Sequence, residues 1–283
     1  MLLSRILSAV AVMFNGDYDK AFGGPLKLIA ASQPIATAAA IATASPPNQR
    51  SLRLLSWNLL ATPYVRPKRE TEEEGLARAR LQVKEVAEHA PDIVGLQEFW
   101  CSSDALVELW REFAEKSQYT LHVCQRVDGK KDGCALLLRA GLGTPAFTTY
   151  TYDDWGSRII QQAEISVDGM PLVLLQTHLT FPHSNEHDPI MRRHQARKLA
   201  ELARAQPAAT VVFGDLNSFS IEDAAIVVLT TLGGCHLMPL REDSASHIAH
   251  TGELMACDMA LTRGACRVGD WSLGGTGASL GLD

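Results

Sequence analysis

The sequence predicts an α/β fold in which sheets lie buried between layers of helices. Six apolar runs have the length of strands and four segments have helical patterns, so strands outnumber helices. Several runs are apolar throughout, which is typical of strands covered on both faces. Neither an internal repeat nor a linker is visible between residues 51 and 283, so one domain is the simplest interpretation.

The strands are predicted from short apolar runs bounded by turn residues. In the first run, Pro63 follows too soon to leave room for a helix. The predicted strands cover residues 52–59, 93–99, 134–138, 172–176, 210–213 and 255–261.

The helices are predicted from apolar side chains at helical spacing and from their first residues. Thr71 and Glu74 have the spacing of a capping box, and Ser220 and Asp223 form a second pair. Asp188 followed by Pro gives the preferred order of cap and first helical residue. The predicted helices cover about residues 71–90, 104–116, 188–205 and 220–231.

Residues 1–50 are expected to lie outside the fold as a targeting or disordered segment. Residues 1–13 are apolar but too short to span a bilayer, and residues 30–47 are rich in Ala, Ser, Thr and Pro without any charge. This composition favours an organelle transit peptide, for a chloroplast or a mitochondrion. A secretory signal is the second interpretation, and an untargeted tail on a cytoplasmic protein is the third.

Charge and cysteine usage exclude some classes of function. The net charge of −6 gives no global positive field for long nucleic acid, so such a substrate would need a local basic patch. Residues 66–69, 126–131 and 192–198 are the candidates, although each is more often a solvated face. The six cysteines form no C-x-x-C pair and no zinc-ligand spacing, which favours idle thiols in a reducing compartment.

Polar side chains stand where the apolar runs stop. Five runs end at or next to such residues, and the polar types are those that bind metals and phosphates. They are Asn58, Glu98, His178, Asp215 with Asn217, and Asp258. One such residue alone is more often a cap or a turn former, but five together indicate a shared site.

These residue types suit the hydrolysis of a phosphoester. Glu98 offers a hard oxygen ligand for Mg²⁺, which keeps most of its waters and takes one or two carboxylates. Asp215 could hold and deprotonate an attacking water, and His178 could donate to a phosphate oxygen. The amides of Asn58 and Asn217 can hydrogen-bond without adding charge beside an anion. The metal would neutralise charge on the transferring phosphoryl group.

The order and spacing of these residues resemble the endonuclease/exonuclease/phosphatase superfamily over about residues 51–262. The segments SWNLLA, LQEFW and DGCA are similar to the deadenylase-type branch related to the carbon catabolite repressor protein. The segment THLTFPH is closer still to uncharacterised plant and algal members, and WGSR stands where these members carry an arginine-bearing loop.

The resemblance implies a four-layer α/β sandwich of the DNase I type, with two mixed, mainly antiparallel sheets flanked by helices. It also implies Mg²⁺-dependent phosphoesterase chemistry, with Mn²⁺ as an alternative ion. The metal would be held by Glu98 and Asn58; the catalytic set would be His178, Asp215, Asn217 and Asp258; Arg158 would contact substrate, unless it only forms a structural salt bridge.

The sequence departs from the family pattern at its C-terminal end. The family closes with a Ser-Asp-His motif whose imidazole pairs with the aspartate matching Asp258, and residues 262–283 are glycine-rich and lack it. We therefore expect the last strand of one sheet to be missing from a truncated domain of residues 51–283. His250 lies near Asp258 and is a candidate phosphate ligand.

Two hypotheses follow. The first is a metal-dependent phosphodiesterase or phosphatase, with RNA as the preferred substrate and with nucleotide phosphatase and sphingomyelinase-like activities left open. The second is a catalytically weakened scaffold of the same fold that binds nucleotide or RNA. In both, the partner is a phosphoester, stable membrane insertion is not expected, and the chain is expected to be a monomer.

Overall fold

The strands build two mixed sheets, which we describe from a computed structural model. The described residues are 27–31, 51–65, 68–183, 185–218, 220–238, 246–248, 254–255 and 257–267. The strands are β1 (Lys27–Ala31), β2 (Leu54–Asn58), β3 (Ile93–Trp100), β4 (Tyr119–Gln125), β5 (Asp132–Arg139), β6 (Ala146–Thr151), β7 (Ile159–Val167), β8 (Met170–His178), β9 (Ala209–Asp215), β10 (His236–Leu237), β11 (His247–Ile248), β12 (Leu254–Met255) and β13 (Asp258–Arg263).

The larger sheet has the strand order β1-β6-β7-β8-β9-β13-β10, and the smaller has the order β2-β3-β5-β4. Strands β11 and β12 form a separate hairpin. One parallel pair occurs in each sheet, β8 with β9 and β2 with β3, and the remaining neighbours are antiparallel. Each parallel pair is joined by a helical crossover, as such pairs require.

Four helices cover the outer faces of the sheets. They are α1 (Glu72–His89), α2 (Asp104–Lys116), α3 (His187–Ala205) and α4 (Ala224–Thr231). Val86 of α1 and Trp110 of α2 pack on the smaller sheet. Leu199 of α3 and Leu229 of α4 pack on the larger one. A third apolar cluster fills the space between the sheets, so the predicted four-layer, DNase I-like sandwich is confirmed.

The sheets approach closely at Gly95. A Cβ atom at this position would lie 2.3 Å from the ring of Phe213 and 3.0 Å from the side chain of Gln176. The Gln176 amide also crosses the gap and donates to the Leu96 carbonyl at 2.8 Å. Glycine at position 95 therefore sets the separation of the sheets just below the polar residues at their ends.

The helices largely match the prediction, with corrections at two N-termini. The predicted capping box of Thr71 and Glu74 is present. Helix α3 begins one residue early, at His187, so Asp188 lies in its first turn instead of capping it. Helix α4 is capped by Asp223, whose carboxylate accepts from the Ala225 N–H, while residues 220–223 form a turn. Asp223 satisfies the cap alone, so the box with Ser220 does not form.

The apolar runs predicted too few strands. Strands β4, β6 and β7 were missed because polar side chains that lie between the layers, such as Gln161 and Thr149, interrupt their apolar pattern. The final run is also divided, because Asp258 begins β13 instead of following a strand.

Residues 27–31 correct the expectation that residues 1–50 lie outside the fold. They form β1, which pairs with the free edge of β6. A strand at that position satisfies backbone groups that β6 would otherwise leave unpaired. In the part of the chain that the structure describes, none of the helices combines the length and apolar character needed to cross a bilayer.

The close approach at Gly95 yields a stability prediction. We expect Gly95→Ala to lower the free energy of unfolding by about 1–3 kcal/mol, because the new methyl group overpacks the gap between the sheets. Urea denaturation would measure the change. Combining it with Phe213→Leu should cost less than the sum of the two single changes, since the shorter side chain makes room. Additive losses would contradict a contact between these positions.

Candidate active site

Three predicted site residues form one row across the larger sheet. His178 is the neighbour of Asp215 in the parallel pair β8 and β9, and Asp215 is the neighbour of Asp258 in the antiparallel pair β9 and β13. The first two residues end their strands and Asp258 begins its strand, so all three stand at the same edge of the sheet. Strand β13 runs antiparallel to β9, so its first residue, Asp258, lies beside the last residue of β9. The prediction had placed Asp258 after the end of a strand.

Glu98 comes from the smaller sheet and stands at a β-bulge. Gln97 pairs with Cys134 and Phe99 with Gly133, so Glu98 between them has no partner on β5. Its φ of 50° is unusual for a residue with a side chain, as expected where a bulge redirects that side chain. Strand β3 continues to Trp100, so Glu98 lies inside the strand and not at its end.

The amide of Asn58 joins the two sheets. Its Nδ2 donates to Asp215 Oδ2 at 2.8 Å and to Glu98 Oε1 at 3.3 Å. Its Oδ1 accepts from the Leu60 backbone N–H at 3.0 Å, which fixes the orientation of the amide. The second Glu98 oxygen accepts from the Ala61 N–H at 3.2 Å. Two carboxylates from different sheets are thus held by one neutral donor.

Arg158 lies against His178. The distance from Arg158 Nη1 to His178 Nδ1 is 2.8 Å, and guanidinium can only donate, so Nδ1 is the accepting nitrogen. The ring proton of the neutral imidazole therefore sits on Nε2, which is 3.5 Å from Asp215 Oδ2. The arginine sets the tautomer that points an N–H into the site.

Asn217 supports Asp215 and is not an exposed ligand. Its backbone N–H donates to Asp215 Oδ1 at 3.0 Å, and its buried side-chain amide donates to the Leu179 carbonyl at 2.8 Å. Its φ is 48°, in the left-handed region that asparagine tolerates. The predicted pair of aspartate and asparagine is thus a turn that fixes the carboxylate.

Asp258 forms hydrogen bonds with two serines that the sequence analysis did not identify as site residues. Ser56 Oγ donates to Asp258 Oδ1 at 3.2 Å, and Gln97 Nε2 donates to Ser56 Oγ at 3.3 Å. The Asp258 backbone N–H donates to Ser246 Oγ at 3.0 Å. Ser56 could have been found, because it precedes Asn58 by two residues and so faces the same side of β2.

The site shifts the acid–base properties of its charged groups. Burial raises the pKa of Glu98, against the opposing effects of the Asn58 hydrogen bond and the charge of Arg158. Loss of water and then repulsion by Asp215 raise the pKa of Asp258 to about 7. Burial, followed by the nearby Arg126 cation, lowers the pKa of Arg158. Both signs of charge are therefore held in surroundings that favour a bound counter-charge.

Two of the predicted basic patches are partly buried and structural. Arg126 pairs with the buried Asp132 at 2.8 Å, and its Nη2 donates to the Gly156 carbonyl at 2.7 Å. Arg192 bonds with Asp223 at 2.9 Å, and Lys198 donates to the Tyr152 carbonyl at 2.8 Å. These cations position loops and are not open phosphate sites.

The donor set fits a hard divalent cation that retains water. No group of three or more His, Cys, Asp or Glu side chains arranged for a metal ion occurs among the described residues. Mg²⁺ requires only one or two carboxylates. Glu98 supplies a partly buried carboxylate whose raised pKa reflects incomplete compensation of its charge, and Asn58 Oδ1 retains a second lone pair.

The structure brings together seven of the eight predicted site residues. These are Asn58, Glu98, Arg158, His178, Asp215, Asn217 and Asp258. His250 lies outside the described residues. The fold and the site together define an α/β sandwich protein with carboxylates, an amide and an imidazole at the meeting edges of two sheets.

The chain belongs to the Endonuclease/Exonuclease/phosphatase family, whose model matches residues 55–277. This confirms the family inferred from the sequence motifs. The zebrafish (D. rerio) TDP2 structure, solved with a single-strand DNA product, has a TM-score of 0.56 and 21% identity. The match covers 76% of this chain and 84% of that one.

Two curated relatives match this chain over part of their own length. An uncharacterized calcium-binding protein of Arabidopsis thaliana is 25% identical over 56% of this chain and 36% of its own length. A provisionally named neutral sphingomyelinase of Drosophila melanogaster is 24% identical over 71% of this chain and 48% of its own length. The matches therefore span less than half the length of either relative.

The raised pKa of Asp258 predicts how stability depends on pH. An aspartate with an unfolded pKa of about 3.9 and a higher native pKa binds more protons when folded, so the free energy of unfolding falls as pH rises between the two values. We expect the free energy of unfolding of Asp258→Asn to decrease less steeply between pH 4 and about 7 than that of the wild type. Urea unfolding across this range, with a chelator present, would measure it. An unchanged pH profile would contradict the assignment.

The contact between Arg158 and His178 predicts a tautomer. We expect ¹⁵N NMR, recorded at a pH where the His178 imidazole is neutral, to show an unprotonated Nδ1, because the guanidinium of Arg158 donates to this nitrogen. Arg158→Met should allow a mixture of tautomers, whereas Arg111→Met on the surface of α2 should leave the signals unchanged. A protonated Nδ1 in the native protein would refute the predicted hydrogen bond.

Proposed function

We propose that the chain is a Mg²⁺-dependent phosphoesterase that cleaves phosphodiesters by attack of water. One arrangement carries this proposal: the Asn58 amide holds Glu98 beside Asp215, and the pair of Arg158 and His178 faces the same carboxylate. Membership of the Endonuclease/Exonuclease/phosphatase family supports the same reaction class.

The charges of the site are divided in the way that phosphoester hydrolysis requires. Anionic oxygens of Glu98 and Asp215 suit a divalent cation, whereas the guanidinium and imidazole suit a phosphate. Because these donors are fixed before substrate arrives, they need little reorganisation when negative charge develops on the phosphoryl oxygens.

Glu98, with assistance from Asn58 Oδ1, would hold the metal. The bound ion would supply charge neutralisation at the phosphoryl group. Mg²⁺ is the ion that these oxygen donors suit best, and Mn²⁺ is an alternative. The name of the Arabidopsis relative refers to calcium, but this chain matches only 36% of that protein, so the name does not decide the ion used here.

The remaining residues would divide the proton transfers between them. Asp215, oriented by the Asn217 N–H, would accept a proton from the attacking water. As the water oxygen bonds to phosphorus, the ester P–O bond would break and the leaving oxygen would take a proton from bulk water. The His178 Nε2–H would hydrogen-bond to a phosphate oxygen, and Arg158 would hold the ring in that tautomer. Asp258 accepts a hydrogen bond from Ser56 and lies in the same row of the sheet as Asp215. Its protonation state would change with pH near neutrality.

We further propose nucleic acid, with RNA as one candidate, as the substrate class. The zebrafish structure of the same fold contains a single-strand DNA product, which supports a nucleic-acid strand as a ligand of this architecture. The similarity to the provisionally named sphingomyelinase makes a lipid phosphodiester the competing substrate. An organelle location, a monomeric state and a targeting segment before β1 are parts of the same proposal.

The second candidate function is a scaffold that binds nucleotide or RNA with little turnover. The contacts of Asp258 favour it, since this carboxylate bonds to a serine hydroxyl where the family pattern expects an imidazole. Binding of an oligonucleotide without Mg²⁺-stimulated cleavage would favour this alternative.

The role of Glu98 can be tested directly. We expect Glu98→Gln to lower Mg²⁺-stimulated hydrolysis of a generic phosphodiester at least about 100-fold, because supporting residues around metals already cost 10–100-fold when replaced. Glu115→Gln on the exposed face of α2 is the matched control and should retain full activity. Metal-independent turnover, or equal rates for Glu98→Gln and the wild type, would reject the proposed function.

A further inference from the structure

Trp155 is a large apolar side chain that the fold leaves in solvent. It is 68% exposed, the largest fraction among the exposed large hydrophobic side chains of the described residues. It lies three residues before Arg158 in the loop formed by residues 152–158. Three peptide units span at most about 11 Å, so one ligand can contact both side chains.

The loop is anchored on one side by the hairpin between β4 and β5. Arg126 Nη2 donates to the Gly156 carbonyl at 2.7 Å, and Ser157 Oγ donates to Asp128 Oδ2 at 2.8 Å. Arg126 is itself paired with Asp132, so its guanidinium cannot move freely. The hairpin therefore fixes the backbone immediately after Trp155.

The other side of the loop rests on helix α3. Gln195 Nε2 donates to Asp154 Oδ2 at 2.7 Å, which fixes the residue immediately before Trp155. The Trp155 ring meets the His187 ring edge to face, with centroids 5.8 Å apart and planes at 81°. The indole thus packs against one aromatic ring while most of its surface remains in water.

The backbone on both sides of Trp155 is strained. Asp153 has a φ of 58° and Ser157 has a φ of 51°, although neither is glycine. Such conformations persist where the surroundings over-determine them, and they cluster at ligand clamps. The anchored backbone thus holds an exposed tryptophan in the same loop as Arg158, and this placement makes the ring a candidate ligand contact.

We propose that Trp155 is a stacking platform for a nucleobase of the substrate strand. This assignment rests on the proposed function, in which Arg158 and His178 receive the phosphate. The base next to that phosphate would lie on the exposed indole face. Every base has a π-face, so the platform would select single-stranded nucleic acid without selecting a sequence. Rigid support by His187 and the anchored backbone lowers the entropy lost on binding.

The surroundings of Trp155 favour a base over a lipid surface. Membrane-binding segments combine several apolar side chains with Lys or Arg. Trp155 instead follows two acidic residues, the exposed Asp153 and the buried Asp154, and it contacts an imidazole. A single ring with polar neighbours offers little apolar area to a bilayer, but it is large enough to cover one base.

The test compares a single-stranded oligonucleotide with an abasic strand of the same length, using the full chain. Fluorescence anisotropy with a chelator would measure binding without cleavage, and turnover would be measured separately with Mg²⁺. We expect Trp155→Ala to weaken binding of the base-bearing strand roughly 5- to 150-fold and to leave the abasic strand unchanged. Trp155→Phe should retain most of the affinity, because it keeps an aromatic face.

Met170→Ala is the matched control, because Met170 is 56% exposed at the opposite end of β8 from His178. It should bind both strands as the wild type does. Equal losses of both strands with Trp155→Ala, or no loss of either, would overturn the proposal. So would reduced binding to phosphatidylcholine–phosphatidylserine vesicles with unchanged affinity for the oligonucleotide, since this result assigns Trp155 to a membrane.

The two proposals can fail separately. Base-dependent binding that is lost in Trp155→Ala supports the platform even if the wild type shows no Mg²⁺-stimulated hydrolysis, a result that would reject only the proposed enzyme. Conversely, hydrolysis by the wild type with no effect of Trp155→Ala on either strand would retain the enzyme and remove the platform.

Discussion

The site depends on the close face-to-face packing of the two sheets. Gly95 allows the smaller sheet to approach Phe213, and the Gln176 amide bridges the gap to the Leu96 carbonyl. This packing brings Glu98 of one sheet and Asp215 of the other within reach of a single amide, that of Asn58. Any change in sheet separation would be felt at both carboxylates, because packed interiors transmit displacement instead of absorbing it.

Burial and like-charge repulsion disfavour the charged forms of the ionisable groups that the fold brings together in the site. Burial disfavours the charged forms of Glu98 and Arg158, and Asp258 carries the additional repulsion of Asp215. A divalent cation would relieve the carboxylates and a phosphate would relieve the arginine. In the proposed function, this unfavourable charge state of the free protein would contribute to the affinity for a metal and an anion together.

Several of the same groups stand on left-handed backbone. Glu98 and Asn217 adopt left-handed conformations within the site, as do Asp153 and Ser157 on either side of Trp155. At Glu98 the cause is a bulge, and at Asn217 it is the turn that returns an N–H to Asp215. These positions convert ordinary strands and loops into fixed supports for side chains, which is the preorganisation that binding charged ligands requires.

The sequence by itself determined much of the architecture. Apolar periodicity and cap residues gave helix α2 with its observed bounds, α1 with its capping box, and the strands that end at Asn58, His178 and Asp215. Residue types and order also indicated which polar side chains share a site, because the ends of neighbouring strands meet at one edge of a sheet.

Only the tertiary structure decided how those side chains act on one another. It showed that Asp258 begins a strand, that Asn217 supports Asp215, and that Arg158 sets the tautomer of His178. Strands β6 and β7 were hidden because their buried threonine and glutamine residues have no apolar pattern. Local periodicity reports which face of an element is buried. It does not report which distant residues meet: Arg158 and His178 are 20 residues apart and Ser56 and Asp258 are 202 apart, and sheet register and packing bring each pair together.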